Sequence, residues 1–260
     1  MRRIGINMNA CNGLTDEEYV SLIAELGFTA TFSKLLEEDR QAELAELLAA
    51  RGVEYQSIHA PFSSINEIWK DSLAGEEVLD RFIKSADRCA ELGIPIVVAH
   101  LSSGDGAPPV TDIGRARFDR FIDHAVSKNV RVAFENQRKL SNIAWAFESY
   151  TADDGVGFCW DCGHEACFAG GREYMPLFGS RLICTHIHDN FAVKDGDLHL
   201  LPFDGAIDFG RVAAQIASSG YDGPLMLEVA VKRNEQYLSL SCEEYLQRAA
   251  AAANRLVEMI

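Results

Sequence analysis

Six short apolar runs in this 260-residue chain end in a residue that could hold a metal or move a proton. His59-Ala60-Pro61-Phe62 closes one run, and His100 closes the next. Glu135-Asn136 closes a third, and Asp161, with His164 three residues on, a fourth. His186-Ile187-His188-Asp189 closes a fifth, and Glu228 directly follows Leu225-Met226-Leu227 in the last. A charged group at the end of a buried strand is costly unless it is paired or binds a metal. Its recurrence along the chain therefore points to one shared site. Glu135, Asp161, His188 and Glu228 would offer three carboxylates and one imidazole. That hard, oxygen-rich set suits one divalent ion: manganese, cobalt, magnesium or zinc. Such an ion can chelate a sugar's carbonyl and neighbouring hydroxyl and stabilise an enediolate. Glu135 and Glu228 come from different runs and could flank a substrate. One would remove a proton α to the carbonyl and the other would return it.

Each residue also has a plainer reading. His59 or His100 alone would be a hydrogen-bonded rim histidine. Asp161 could cap the turn that follows it. His186 and His188 are two apart on a strand and so share a side. His188, nearer the end, is the expected ligand, and His186 is expected to be deeper and structural. Asp189 is expected to orient a neighbour or cap a turn. Cys159 and Cys162 have CxxC spacing, but no second pair follows to complete a structural zinc site.

The elements that must position these residues alternate. Strand-like runs lie at Ile4–Met8, Thr29–Phe32, Glu54–Ile58, Ile94–Ala99, Arg131–Phe134, Val156–Trp160, Leu182–Ile187 and Leu225–Val229. Helical periodicity marks Asp16–Leu26, Asp39–Arg51, Glu76–Leu92, Asp112–Lys128, Phe209–Ser218 and Glu243–Met259. Thr15 with Glu18 has the capping-box pattern. Near-continuous apolar strands separated by helices imply parallel pairing with right-handed crossovers. Eight such units predict a single-domain (β/α)₈ barrel over residues 1–260, with catalytic groups at the C-terminal ends of the strands. An open doubly wound sheet would need a glycine-rich phosphate turn after the first strand, and Gly5-Ile6-Asn7-Met8 is not one.

Composition narrows the partners. Lys and Arg number 24 against 39 Asp and Glu, a formal charge of −15. That is wrong for a nucleic-acid binder. No apolar stretch approaches a membrane span, and the N-terminus reads as a strand rather than a signal peptide. The expectation is a soluble, cytoplasmic protein whose seven cysteines are reduced and buried.

Phe134-Glu135-Asn136, Trp160-Asp161-Cys162-Gly163-His164 and His186-Ile187-His188-Asp189-Asn190, followed by Asp197-Leu198-His199-Leu200-Leu201-Pro202, carry a family resemblance. With the His59 turn and Glu228, they resemble the xylose-isomerase-like barrel superfamily across nearly the whole chain. That superfamily includes sugar and sugar-phosphate isomerases and epimerases, inosose-processing enzymes and the endonuclease IV type of AP endonuclease. The resemblance to the ketose epimerases implies metal ligands at Glu135, Asp161, His188 and Glu228, with the two glutamates as the acid/base pair. It also implies substrate contact at His164. The family's substrate-binding arginine is absent from Phe191-Ala192-Val193-Lys194, so that contact would be missing or would pass to Lys194. His59, His100 and His199 complete the expected substrate-binding set. The endonuclease branch, with nine zinc ligands, would instead use His59, His100, Glu135, Asp161, His164, His188, Asp197, His199 and Glu228.

The function expected is a metal-dependent sugar or sugar-phosphate isomerase or epimerase acting through an enediolate. The alternatives are a keto-cyclitol or keto-sugar dehydratase at the same site, a trinuclear-zinc phosphodiester hydrolase, and a degenerate barrel used for binding. The partner expected is a small sugar, sugar phosphate or cyclitol, with no nucleic acid or membrane; barrels of this kind often form homo-oligomers. Lys194, Lys232 and Arg233 could receive a phosphate or carboxylate or equally be solvated surface charges, and the lack of a glycine-rich phosphate cradle favours an unphosphorylated sugar. The segment from Pro61 to Ala74 reads equally as a lid or as a barrel-covering loop with a buried Trp69.

Overall fold

The computed structural model describes residues 2–260, apart from the side chain of Arg233. Its strands are β1 (Ile4–Asn7), β2 (Ala30–Lys34), β3 (Glu54–His59), β4 (Ile96–His100), β5 (Arg131–Glu135), β6 (Val156–Asp161), β7 (Leu182–His186) and β8 (Leu225–Leu227). The helices are α1 (Asp16–Glu25), α2 (Glu38–Ala50), α3 (Leu73–Glu91), α4 (Asp112–Ser127), α5 (Leu140–Ser149), α6 (Cys162–Phe168), α7 (Met175–Phe178), α8 (Phe209–Ser219) and α9 (Cys242–Val257). The strands pair in parallel in the order β7-β6-β5-β4-β3-β2-β1-β8. The ring closes where Ile187 bridges Leu227: the Ile187 N–H donates to Met226 at 2.8 Å and the Glu228 N–H donates to Ile187 at 3.0 Å. Below that bridge the Thr185 hydroxyl stitches the seam, accepting from the Met226 N–H at 3.0 Å. The fold is the single-domain (β/α)₈ barrel that the alternation predicts.

Strand periodicity sorts the side chains. On β4 to β7, Val98, Ala133, Cys159 and Cys184 point into the barrel as a small apolar plug with Ile96. Two residues further along, on the same face, stand His100, Glu135, Asp161 and His186. Ala30, Phe32 and Met226 fill the opposite side of the interior. Gly5 leaves room there, because a Cβ on it would lie 2.7 Å from the Met226 sulfur. The alternate residues, among them Val97, Phe134, Phe158 and Trp160, face the helices and join the main core.

Strand and helix boundaries differ from expectation in informative ways. Strands β3 to β6 run on through His59, His100, Glu135 and Asp161, because backbone pairing continues after the side chains cease to be apolar. β4 starts at Ile96, because the Ile94 N–H closes the preceding helix on Cys89. Three helices, α5, α6 and α7, escape the periodicity reading. α6 and α7 have only 7 and 4 residues, and α5 has no side-chain cap. The Thr15–Glu18 capping box forms as predicted. One cysteine expectation is corrected. Cys11 and Cys242 are joined as a disulfide, and only Cys89, Cys159, Cys162, Cys167 and Cys184 are free and buried. Among the described residues no helix is long and apolar enough to cross a membrane.

The segment after β3 divides between its two readings. Ile65, Ile68 and Trp69 are buried, and the Trp69 indole donates to the Leu101 carbonyl at 2.7 Å, so this part covers the barrel. Phe62 is instead 42% exposed and stacks on His100 with ring centroids 4.3 Å apart.

Candidate metal centre

The C-terminal ends of the strands bring one quartet together. Ligand atoms from Glu135, Asp161, His186 and Glu228 all lie within 4.8 Å of one another. His186 Nδ1 stands 3.4 Å from Glu135 Oε1 and 3.3 Å from Glu228 Oε2. The other Glu135 oxygen is already engaged, 3.0 Å from His59 Nε2 and 2.8 Å from His100 Nε2. His59 is aimed by its own Nδ1, which donates to the Ala60 carbonyl at 2.9 Å. Asp161 divides its labour in the same way. Oδ1 caps α6 by accepting from the His164 N–H at 2.6 Å, while Oδ2 completes no hydrogen bond. The capping reading and the ligand reading of Asp161 are therefore compatible.

Distances reverse the two histidines of the strand-seven motif. His186, expected to be structural, is the imidazole grouped with the three carboxylates. His188, the expected ligand, groups with His164, Asp197 and His199. β7 ends at His186, so the two-residue alternation no longer governs His188. Its ring packs where Gly163 has no side chain; a Cβ there would lie 1.9 Å from the ring. His188 Nε2 is 3.1 Å from Asp161 Oδ1, so it contacts the quartet through that carboxylate. Asp189 is a turn organiser: its carboxylate accepts from the backbone N–H groups of Asn190, Gly205 and Ile207.

A cation fits the quartet on the structure's own terms. Glu135 Oε1, Asp161 Oδ2 and both His186 ring nitrogens are buried and complete no hydrogen bond. Buried polar atoms are nearly always satisfied, and atoms that converge unpaired on one point suit a shared ion. The titration behaviour agrees. Burial pushes the Glu135 carboxyl up, but His100 and His186 outweigh it and hold it well below the usual range. Glu228 is held down against its burial by His186 and His199. Burial disfavours charge on His186, yet Glu228 and Glu135 keep its proton on well above the ordinary value. His164, opposed by burial but facing Asp161 and Glu135, is raised to about 10. His100 goes the other way, because its burial outweighs Glu135.

Above the quartet lies a cavity of about 250 Å³ lined by Glu135, Glu228, His59, His100, His164 and His199, among others. The expected substrate-binding histidines all face it. His199 Nδ1 donates to the Glu228 carbonyl at 2.7 Å, which ties its loop to the acid/base candidate. Lys194 does not line the cavity. It lies on the rim, 72% exposed, 3.2 Å from Asp105. Among the lining residues absent from the sequence reading are Gln137 and Arg138. The Gln137 amide stands 3.3 Å from His100 Nε2 and 3.1 Å from His164 Nδ1. The Arg138 guanidinium lies 3.7 Å over the Phe168 ring. Gln137 lies two residues past Glu135, where β5 has ended, so strand phase alone did not mark it.

A parallel eight-stranded barrel with a carboxylate–imidazole centre at its C-terminal mouth defines the class of molecule. The chain belongs to the family described as "Xylose isomerase-like TIM barrel", whose profile it matches over residues 20–255. It is 32% identical over 282 residues to the uncharacterized protein y4fM of Sinorhizobium fredii, covering 93% of this chain and 88% of that protein. Its fold is similar to D-psicose 3-epimerase from Clostridium cellulolyticum H10, solved with D-tagatose. That match has a TM-score of 0.77 at 14% identity and covers 100% of this chain and 99% of the other. The zinc-binding IolI protein superimposes with a TM-score of 0.76 at 16% identity over 99% of this chain and 98% of its own.

Proposed function

We propose that this protein is a divalent-metal-dependent sugar isomerase or epimerase. The observation that carries the reading is the convergence of Glu135 and Glu228 on His186 Nδ1, at 3.4 and 3.3 Å, with both glutamates lining one cavity. Glu135, Asp161, His186 and Glu228 would hold the ion. Bound there, it would polarise a substrate carbonyl and lower the cost of charge on the neighbouring carbon. Both glutamates are held ionised at neutral pH, the state a general base needs. Glu228, the more exposed of the two at 19% against 1%, takes a proton from the carbon beside the carbonyl. Glu135, backed by the His59 and His100 imidazoles, serves the other face. His164 and Gln137 are placed to receive substrate hydroxyls, and Phe62 covers His100 from above. The family match and the epimerase fold support this reading.

Glu228→Gln is expected to keep the fold and lower kcat by roughly 10²–10⁴-fold, the usual weight of a general acid or base. Proton exchange at the α-carbon, followed by NMR in D₂O with a ketose panel, measures it. Unchanged turnover would falsify the assignment. A second reading, with more than one ion, is favoured by the quartet His164, His188, Asp197 and His199, whose ligand atoms also lie within 4.8 Å. Elemental analysis separates the two: about one ion per chain supports the isomerase centre alone, and two or three call for a phosphoesterase assay.

A further inference from the structure

Beside Glu228 the site cavity adjoins a second one of about 350 Å³. Phe32, Lys34, His199 and Glu228 line both, so the two are neighbours. The second wall also carries Lys232 and Asn9. We infer that this second cavity receives an anionic group, a phosphate or a carboxylate, on the far end of the substrate, with Lys34 and Lys232 as its partners. The inference rests on the proposed isomerase reading for the near end of that substrate.

The argument is one of charge. Acids outnumber bases 39 to 24 in this chain, so a basic side chain at the mouth has abundant partners. The neighbouring cations use them: Lys194 pairs with Asp105, and Arg138 with Asp195. Among the described residues Lys34 and Lys232 make no ion pair, and Glu228, already paired with His186, is the only carboxylate on their wall. Lys34 is the last residue of β2, so the barrel itself delivers it to the mouth. A neutral sugar would leave both ammonium groups without a counter-charge. An anionic one needs them, because the field of a −15 protein would otherwise repel it. Lysine acts on phosphate or carboxylate as a point charge, with no need for the glycine-rich cradle that this chain lacks.

Two measurements test this with wild type and the Lys34→Ala/Lys232→Ala double variant. Both side chains are exposed, so truncation opens no core, and a thermal melt checks the fold. Isothermal titration with inorganic phosphate and with succinate is expected to show binding of at least one, weakened tenfold or more in the variant. Phosphate alone identifies a phosphate ester, and succinate alone a carboxylate. No binding of either, or binding indifferent to the substitutions, overturns the proposal. In kinetics, a ketohexose 6-phosphate or a keto-uronate is expected to exceed the neutral ketohexose at least tenfold in kcat/KM, mainly through KM. The variant is expected to lose that preference. Equal use of neutral and anionic ketoses by wild type overturns the proposal. If no ketose reacts but anion binding still depends on the two lysines, the anion site stands and the isomerase reading fails.

Discussion

His186 and His188 show how much chemistry turns on one step along a chain. Both are fully buried, and both contact a carboxylate of the quartet. The difference is that His186 contacts the two glutamates and His188 contacts Asp161. His186→Gln is therefore expected to leave little bound metal. His188→Gln is expected to weaken binding by about 10–100-fold without abolishing it, as loss of an outer partner does. Metal content after dialysis against graded chelator reads both. The residue scale also predicts a pH response of the metal-free protein. His164 is raised to about 10, so its stabilising pairs are complete below an unfolded histidine value of about 6.5 and are lost as pH climbs towards 10. Glu135 and Glu228 are depressed, so their contribution is present above an unfolded glutamate value of about 4.3 and is lost as pH falls below it. Melting temperature in chelator should fall on both sides of a plateau near pH 5–6. A melting temperature flat from pH 6.5 to 10 would contradict the pairing. The candidate residues were legible in the sequence because each interrupts an apolar run. The choice of His186 over His188 was not, because strand phase says which side a residue faces and not where the strand ends.

At the scale of elements, the site depends on how strands are held at the mouth, where ladder hydrogen bonds run out. Two asparagines do this work. The Asn136 amide donates to the Asp161 carbonyl at 2.9 Å, and its oxygen accepts from the Asp161 N–H at 2.7 Å, which locks β5 to β6. Asn7 does the same between β1 and the segment after β8, donating to Val229 at 3.2 Å and accepting from its N–H at 2.8 Å. Each carboxamide imitates a further ladder step and fixes the height of the carboxylate beside it, Glu135 and Asp161 in one case and Glu228 in the other. Asn136→Ala would leave a buried N–H and C=O unpaired, at a cost of about 1–3 kcal/mol. Loosened Glu135 and Asp161 should also lower metal affinity, so a urea midpoint and a metal titration are expected to move together. A stability loss with unchanged metal affinity would reduce Asn136 to a packing residue. The alternation that gave away the strands could mark Glu135-Asn136 as a unit but not what the amide reaches, since Asp161 lies 25 residues away.

For the molecule as a whole, the barrel must close between its first and last segments, and this chain closes it twice. β1 pairs with β8 through the register Ile4 to Leu225, Gly5 to Met226 and Ile6 to Leu227. Above that ladder, the Val231 N–H donates to the Ala10 carbonyl at 3.0 Å, and Cys11 is joined to Cys242 at the start of α9, with Cα atoms 5.4 Å apart. The bond spans 231 residues of sequence, which no local pattern could reveal. It fastens the loop after β1 to the start of α9, while the Val231–Ala10 hydrogen bond fastens the same loop to the segment that carries Lys232. Cross-links that close long loops restrict the unfolded chain most, and a typical one contributes about 2–4 kcal/mol. The Cys11→Ala/Cys242→Ala variant is therefore expected to melt roughly 5–15 °C lower, given about 2–4 °C per kcal/mol for a chain of this size. Reductant should bring wild type down to the same value and leave the variant where it is. Free-thiol counts in denaturant should give five for the oxidised protein and seven after reduction. Seven before reduction, with a melt that reductant does not move, would mean that the seam is held by the ladder and the Val231–Ala10 hydrogen bond alone.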